Sequence, residues 1–244
     1  TGTFDPLQSN FVSFGLGWDS VSHAGMKAVG LRGWYKNGGT LAYSSEFLVL
    51  PEERLAVVVC TDHDGGSKSL ETAEKILLRA LVERGTLAAM PAPLAPTLLP
   101  EIPVPPGDTE RFSGLYAANM ALYRARFSPD CSLFIDTFSG GGWEPKYTGL
   151  KLRLDGWYTG DGDPTLSIAL LAAEGLRYFA IRATHGGGHY LVDLLKAQKL
   201  ETKPEVKPPW EARKGKIYLI SNGDVHDRAL MGPGADPRFT LQAL

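Results

Sequence analysis

The sequence predicts an α+β chain: an antiparallel sheet carrying one helix, followed by a second antiparallel unit of β-barrel type. Three observations carry this. Apolar runs separated by tight turns fill residues 34–60 and lead into a stretch of helical period. Seven prolines then fall between Met90 and Pro106: Pro91, Pro93, Pro96, Pro100, Pro103, Pro105 and Pro106. Beyond Arg111, short alternating runs recur between turn clusters. Proline at that density gives a stiff extended connector. The expected units are therefore residues 1–88, a linker over 89–108, and 109–244.

The chain has 244 residues, a net charge of −2 and 43% hydrophobic residues. That length suffices for a sizeable core. The charge gives no footprint for nucleic acid. No apolar run reaches the ~18 residues of a spanning helix, so no membrane-spanning segment is expected. Cys60 and Cys131 lack metal-ligand spacing. Cys60 closes the run Leu55–Val59 and is expected to be a buried thiol.

Each element has a local reason. Gly15-Leu16-Gly17-Trp18-Asp19 reads as a short strand, and residues 20–32, with no clear period, as a loop. Trp34 to Asn37 and Glu46 to Leu50 are strands. Pro51-Glu52-Glu53-Arg54 is a turn, a proline and three charges between apolar runs. Leu55 to Cys60 is almost continuously apolar, as in a strand covered on both faces. Ser69, Glu71 and Thr72 suit a first helical turn. Ala73, Ile76, Leu77, Ala80 and Leu81 fall at helical spacing, and Gly85 suits the C-cap.

In the second half, strands are expected at 122–127, 132–136, 150–154, 165–170, 176–181 and 190–195. Turn clusters separate them, among them Ser139-Gly140-Gly141-Gly142 and His185-Gly186-Gly187-Gly188. Regular short strands of this kind build a barrel or sandwich. Ile217–Ile220 resumes strand character, and Phe239–Leu244 reads as another strand.

The chemistry concentrates in Gly33-Trp34-Tyr35-Lys36-Asn37-Gly38-Gly39-Thr40 and the following Tyr43-Ser44-Ser45. Adjacent glycines let backbone approach a ligand closely. Lys36 sets a cation beside that gap, and Thr40, Ser44 and Ser45 bring hydroxyls. Such an edge suits a carboxylate or a developing oxyanion. A plain glycine bend with a solvated lysine explains the same letters.

The order Phe14-Gly15-Leu16-Gly17-Trp18, Trp34 to Ser45, Phe47-Leu48-Val49-Leu50-Pro51, Leu55 to Val59 and then a helix resembles the end of the catalytic domain of serine β-lactamase-like hydrolases. That family includes class C β-lactamases, D-aminopeptidases, esterases and penicillin-binding-protein relatives. The resemblance covers residues 10–85. It implies a transpeptidase-like sheet, an acyl-enzyme mechanism and a small amide, ester or peptide substrate. Lys36-Asn37-Gly38 matches the family's third motif, which implies a substrate or proton-network role for Lys36 and an oxyanion-hole N–H at Gly39. Asn37, Gly38, Thr40 and Ser44 would then lie against substrate. The appended strands resemble the D-aminopeptidase branch.

The sequence departs from the family where the nucleophile should be. No Ser has Lys three residues later, and no Gly-x-Ser-x-Gly occurs. The resemblance therefore implies a partner: an N-terminal segment or separate chain that carries the Ser. The competing expectation is a non-catalytic binding subunit. Thr1 is a further candidate, because an N-terminal Thr has its own amine as base. No cofactor is expected and no metal. His185 and His189 fit a hairpin tip better than a metal site. Asp62-His63-Asp64 reads as a solvated loop. Asp161-Gly162-Asp163 is turn chemistry without the closing glutamate of a calcium loop. Trp143, Trp157 and Tyr158 read as half-buried strand aromatics.

Overall fold

The computed structural model describes residues 13–39, 43–62, 66–95, 97–119, 121–139, 141–202, 207–213, 215–219 and 238–240. It is mixed α and β, with antiparallel sheets, many strands and few helices. The expectations for Thr1, Thr40, His63 and Asp64 lie outside the described residues.

The first layer follows residues 13–87. Gly15 and Trp18 bridge each other across a turn, which replaces the short strand expected there. Helix α1 (Ala24–Lys27) forms within the expected loop. Strands β1 (Trp34–Gly39), β2 (Ser44–Leu50) and β3 (Leu55–Thr61) make an antiparallel sheet in that order. Trp34 pairs with Val49, and Leu48 with Val57. Helix α2 (Gly66–Glu83) lies on one face of the sheet. Leu70, Ala73, Leu77, Leu78 and Leu81 of α2 are buried with Tyr35, Leu48, Leu50 and Met26. Each such leucine contributes on the order of 1.5–3 kcal/mol.

Two sequence expectations fail here for one reason. β3 is an edge strand with only one covered face. Its odd positions point at α2, so Val58 stays 59% exposed and Cys60 is exposed rather than buried. Ile76 of α2 is also exposed, because the buried stripe runs through Leu70, Leu77 and Leu78. The Gly85 cap is present: φ is +75°, and Thr86 N–H donates to Leu81 O across it.

The second layer is a closed ring of eight antiparallel strands. After residues 88–95 and 97–107, which form no helix and no strand beyond the Glu101–Arg153 bridge, and helix α3 (Asp108–Phe112) come β4 (Gly114–Ala118), β5 (Ala121–Phe127), β6 (Leu133–Ser139), β7 (Gly142–Leu152), β8 (Tyr158–Thr159), β9 (Leu166–Ala173), β10 (Leu176–His185) and β11 (Tyr190–Lys199). Consecutive strands pair, and β11 returns to β4 through Lys199 and Tyr116. One set of side chains fills the interior: Tyr116, Tyr123, Leu133, Ile135, Leu150, Leu152, Ile168 and Phe179. Tyr116 and Tyr123 meet Phe179 edge-on at 5.6 and 5.2 Å. Helix α4 (Pro208–Glu211) and the pair β12 (Ile217–Leu219) and β13 (Arg238–Thr240) follow.

The two layers meet at the β10–β11 hairpin. Its tip, a turn of three glycines at positive φ, Gly186–Gly188, packs on α2, and α1 touches β11.

Candidate functional site

β1 is an edge strand, and its alternation decides what it offers. Tyr35 N–H donates to Ser20 O at 2.7 Å, and Tyr35 O accepts from Asp19 and Ser20. Asn37 N–H donates to Asp19 Oδ2 at 2.8 Å. Odd positions of β1 thus turn their backbone groups away from β2. By the same period-two rule the Gly39 N–H faces that free edge.

Lys36 stands beside it. Its ammonium donates to both Asp19 oxygens at 3.0 Å and to Asn37 O at 2.6 Å. Asp19 is thus an anion held by a lysine and an outward N–H. Burial works against its charge, but the Asn37 N–H and Lys36 outweigh that and hold its carboxyl below the usual range.

The expected site residues separate. Gly38, Gly39 and Ser44 line an open groove of about 500 Å³ with Tyr43, Ser45, Cys60 and Asp62. Asn37 lines a different cavity of about 520 Å³, with Tyr35, Glu46, Glu74, Tyr190 and the glycine turn. Ser44 Oγ sits 2.8 Å from Thr61 Oγ1 and 3.3 Å from Ser69 Oγ, a hydroxyl cluster that fastens β2 and β3 to the start of α2.

At the wall of the cavity beside Asn37 lies a buried junction that the sequence did not flag. Tyr190 Oη donates to Glu74 Oε1 at 2.6 Å, and His23 Nε2 lies 3.3 Å from the same oxygen. Glu74, His23 and Glu46 are all at least 97% buried. Burial raises Glu74 to about 7, and burial with His189 and His185 nearby lowers His23 to about 4. Burial also raises Glu46 and Tyr35. Glu74 follows Leu70 by four and precedes Leu78 by four, so it stands in the apolar stripe of α2. That position was the available signal.

His185 and His189 flank the turn as a hairpin tip. His189 Nδ1 is 2.5 Å from Gly186 O. Among the described residues no group of three or more His, Cys, Asp or Glu is placed to hold a metal, and no helix is long and apolar enough to cross a membrane. Trp157 and Tyr158 are buried more fully than expected, each 4% exposed.

No family model matches the chain, and no curated protein matches it. Two solved structures align weakly. SurE with D-Leu is 18% identical with a TM-score of 0.37, over 67% of this chain and 35% of that one. An octameric penicillin-binding protein homologue from Pyrococcus abyssi is 11% identical with a TM-score of 0.24, over 68% and 34%. The chain spans about a third of the length of either.

Proposed function

We propose that this chain is the C-terminal part of a serine hydrolase, a peptidase, amidase or esterase that works through an acyl-enzyme. Residues 1–88 would belong to its catalytic domain, 89–108 to a linker and 109–244 to an accessory barrel. The nucleophilic Ser would come from an N-terminal segment or chain outside these residues, since the sequence contains no Ser-x-x-Lys.

One observation carries the proposal: the β1 edge already binds an anionic oxygen. The Asn37 N–H and Lys36 ammonium hold the Asp19 carboxylate. By the same alternation the next outward donor is the Gly39 N–H, and on its β2 side Gly39 borders an open groove. In acyl transfer, negative charge develops on the former carbonyl oxygen, and a fixed backbone donor there is worth roughly 100- to 1,000-fold in rate. A Cβ on Gly39 would stand 3.1 Å from Tyr43 O, so glycine keeps this part of the strand uncrowded. Lys36 would orient a substrate carboxylate or hold the proton network. Asn37, Gly38, Thr40 and Ser44 would flank the substrate.

The Lys36–Asp19 pair also favours a second reading, a non-catalytic subunit in which this edge is closed by its own carboxylate. Acylation separates the two. The native assembly is treated with a fluorophosphonate and with a β-lactam, and the labelled residue is located by mass spectrometry. The hydrolase reading requires label on a Ser of an associated segment. Absence of any labelled Ser supports the accessory subunit, and label on Thr1 would make the chain's own N-terminus the nucleophile.

A further inference from the structure

The three-stranded sheet has two faces, and among the described residues α2 covers one of them. Period-two alternation sorts the side chains. Tyr35, Leu48, Leu50, Val57 and Val59 turn towards α2. The register then sets three transverse rows on the opposite face. Trp34 stands beside Val49 and Ala56, Lys36 beside Phe47 and Val58, and Gly38 beside Ser45 and Cys60.

This second face is apolar as well. An antiparallel sheet leaves one face to water when that face is polar. Here Phe47, Val49, Ala56 and Val58 occupy it, and Val58 is 59% exposed. Trp18 rests on Phe47 and Trp34 at 5.6 and 5.4 Å. Phe14 and Leu16, at the turn that carries Trp18, are exposed. Contiguous apolar surface of this kind marks an interaction site. Lys36 is the one charged side chain in the three rows, and Asp19 pairs with it. The surface therefore suits an apolar, uncharged partner.

Position selects the occupant. Lys36 projects onto the same face as Phe47 and Val58, and strands ~4.8 Å apart place Val58 about 10 Å from it. The open groove at Gly38, Ser45 and Cys60 ends that face. Tyr35 and Asn37 turn the other way, into the cavity lined by Glu74 and the Gly186–Gly188 tip. A segment that brings a reacting group to Lys36 therefore approaches across the apolar rows.

We propose, resting on the hydrolase reading above, that the face of Trp34, Phe47, Val49 and Val58 is the docking surface for the Ser-bearing segment. The segment lays an apolar stripe on Phe47 and Val58 and so brings its Ser up to Lys36 and the Gly39 edge. The same contact covers the second apolar side of the sheet, as α2 covers the first.

The test is made on the native assembly. The photo-cross-linking amino acid benzoylphenylalanine is placed at position 58. The sample is acylated with a fluorophosphonate and irradiated, and mass spectrometry locates the labelled Ser and the cross-linked peptide. The cross-link is expected in the segment that holds the labelled Ser. Val58→Asp is expected to slow acylation of that Ser about tenfold, equivalent to roughly 1.4 kcal/mol. Ile76→Asp, on the exposed side of α2, is expected to leave it unchanged. Suppose a Ser is labelled but position 58 cross-links to a second copy, within residues 1–244, or to nothing. The docking surface is then overturned and the hydrolase reading stands. Acylation unchanged in Val58→Asp has the same meaning. Absence of any labelled Ser overturns both.

Discussion

Tyr190, on the ring, donates its hydroxyl to Glu74, on the helix of the sheet layer, at 2.6 Å across a separation of 116 positions. Both residues are buried, so this bond sits where losing a partner is costly. Tyr190→Phe is expected to lower unfolding free energy by about 1–3 kcal/mol. Chemical denaturation followed separately by Trp18 with Trp34 and by Trp157 reads it out. The bond also predicts that both layers of the parent protein lose structure in one transition.

The pH dependence of stability follows from the same junction. Glu74 is raised from 4.5 to about 7, so the folded state holds a proton there that the unfolded chain releases above 4.5. Stability from Glu74 therefore falls as pH rises from about 4.5 to 7. His23 is lowered from 6.5 to about 4, and its contribution rises with pH from about 4 to 6.5. The two slopes oppose each other over their shared range and leave a net loss only above about 6.5. Glu74→Gln removes the falling limb, so its stability should climb from pH 4 to 6.5 and then hold level. Unfolding free energies measured from pH 4 to 8 check this, and a variant curve parallel to the parent would refute it.

The glycine turn makes a steric prediction. A Cβ on Gly186 would lie 2.4 Å from Tyr190 Cε1 and 2.5 Å from Glu74 Oε2, at a φ of +61°. Gly186→Ala should cost about 2–4 kcal/mol through overpacking and left-handed backbone. At Gly142 a Cβ meets nothing within 4 Å, and Gly142→Ala should stay within about 0.5 kcal/mol. Thermal or denaturant melts of the two variants side by side decide it.

How much of this was legible differs by element. The turn at Pro51–Arg54, the Gly85 cap and most strands followed from local pattern, because turn chemistry and period act within a few residues. The exposure of Cys60 and Val58 did not, since an apolar run looks the same whether one face or two are covered. At the candidate site, the letters of Lys36-Asn37-Gly38-Gly39 were visible, but the Asp19 carboxylate that binds them comes from 17 and 18 positions away. The His23–Glu74–Tyr190 junction was still less accessible. It joins three elements, and only the tertiary fold tells a buried Glu74 from a solvated one.

Asp19 should act as an internal competitor on the β1 edge. Its pair with Lys36 is half-exposed, so Asp19→Ala should change stability by no more than about 1 kcal/mol. Under the hydrolase proposal it vacates an anion position. Acylation of the native assembly by a carboxylate-bearing β-lactam should then rise relative to acylation by an uncharged ester. An unchanged ratio would remove Asp19 from the substrate path.

The central claim is that the outward N–H of Gly39 stabilises an oxyanion. Gly39→Pro deletes that N–H, whereas Gly39→Ala keeps it and controls for bulk. The measurement is the acylation rate constant of the native assembly with a fluorophosphonate. The account predicts a fall of about 100-fold or more for Gly39→Pro, with Gly39→Ala within about tenfold of the parent. A Gly39→Pro assembly that acylates as fast as the parent would contradict it.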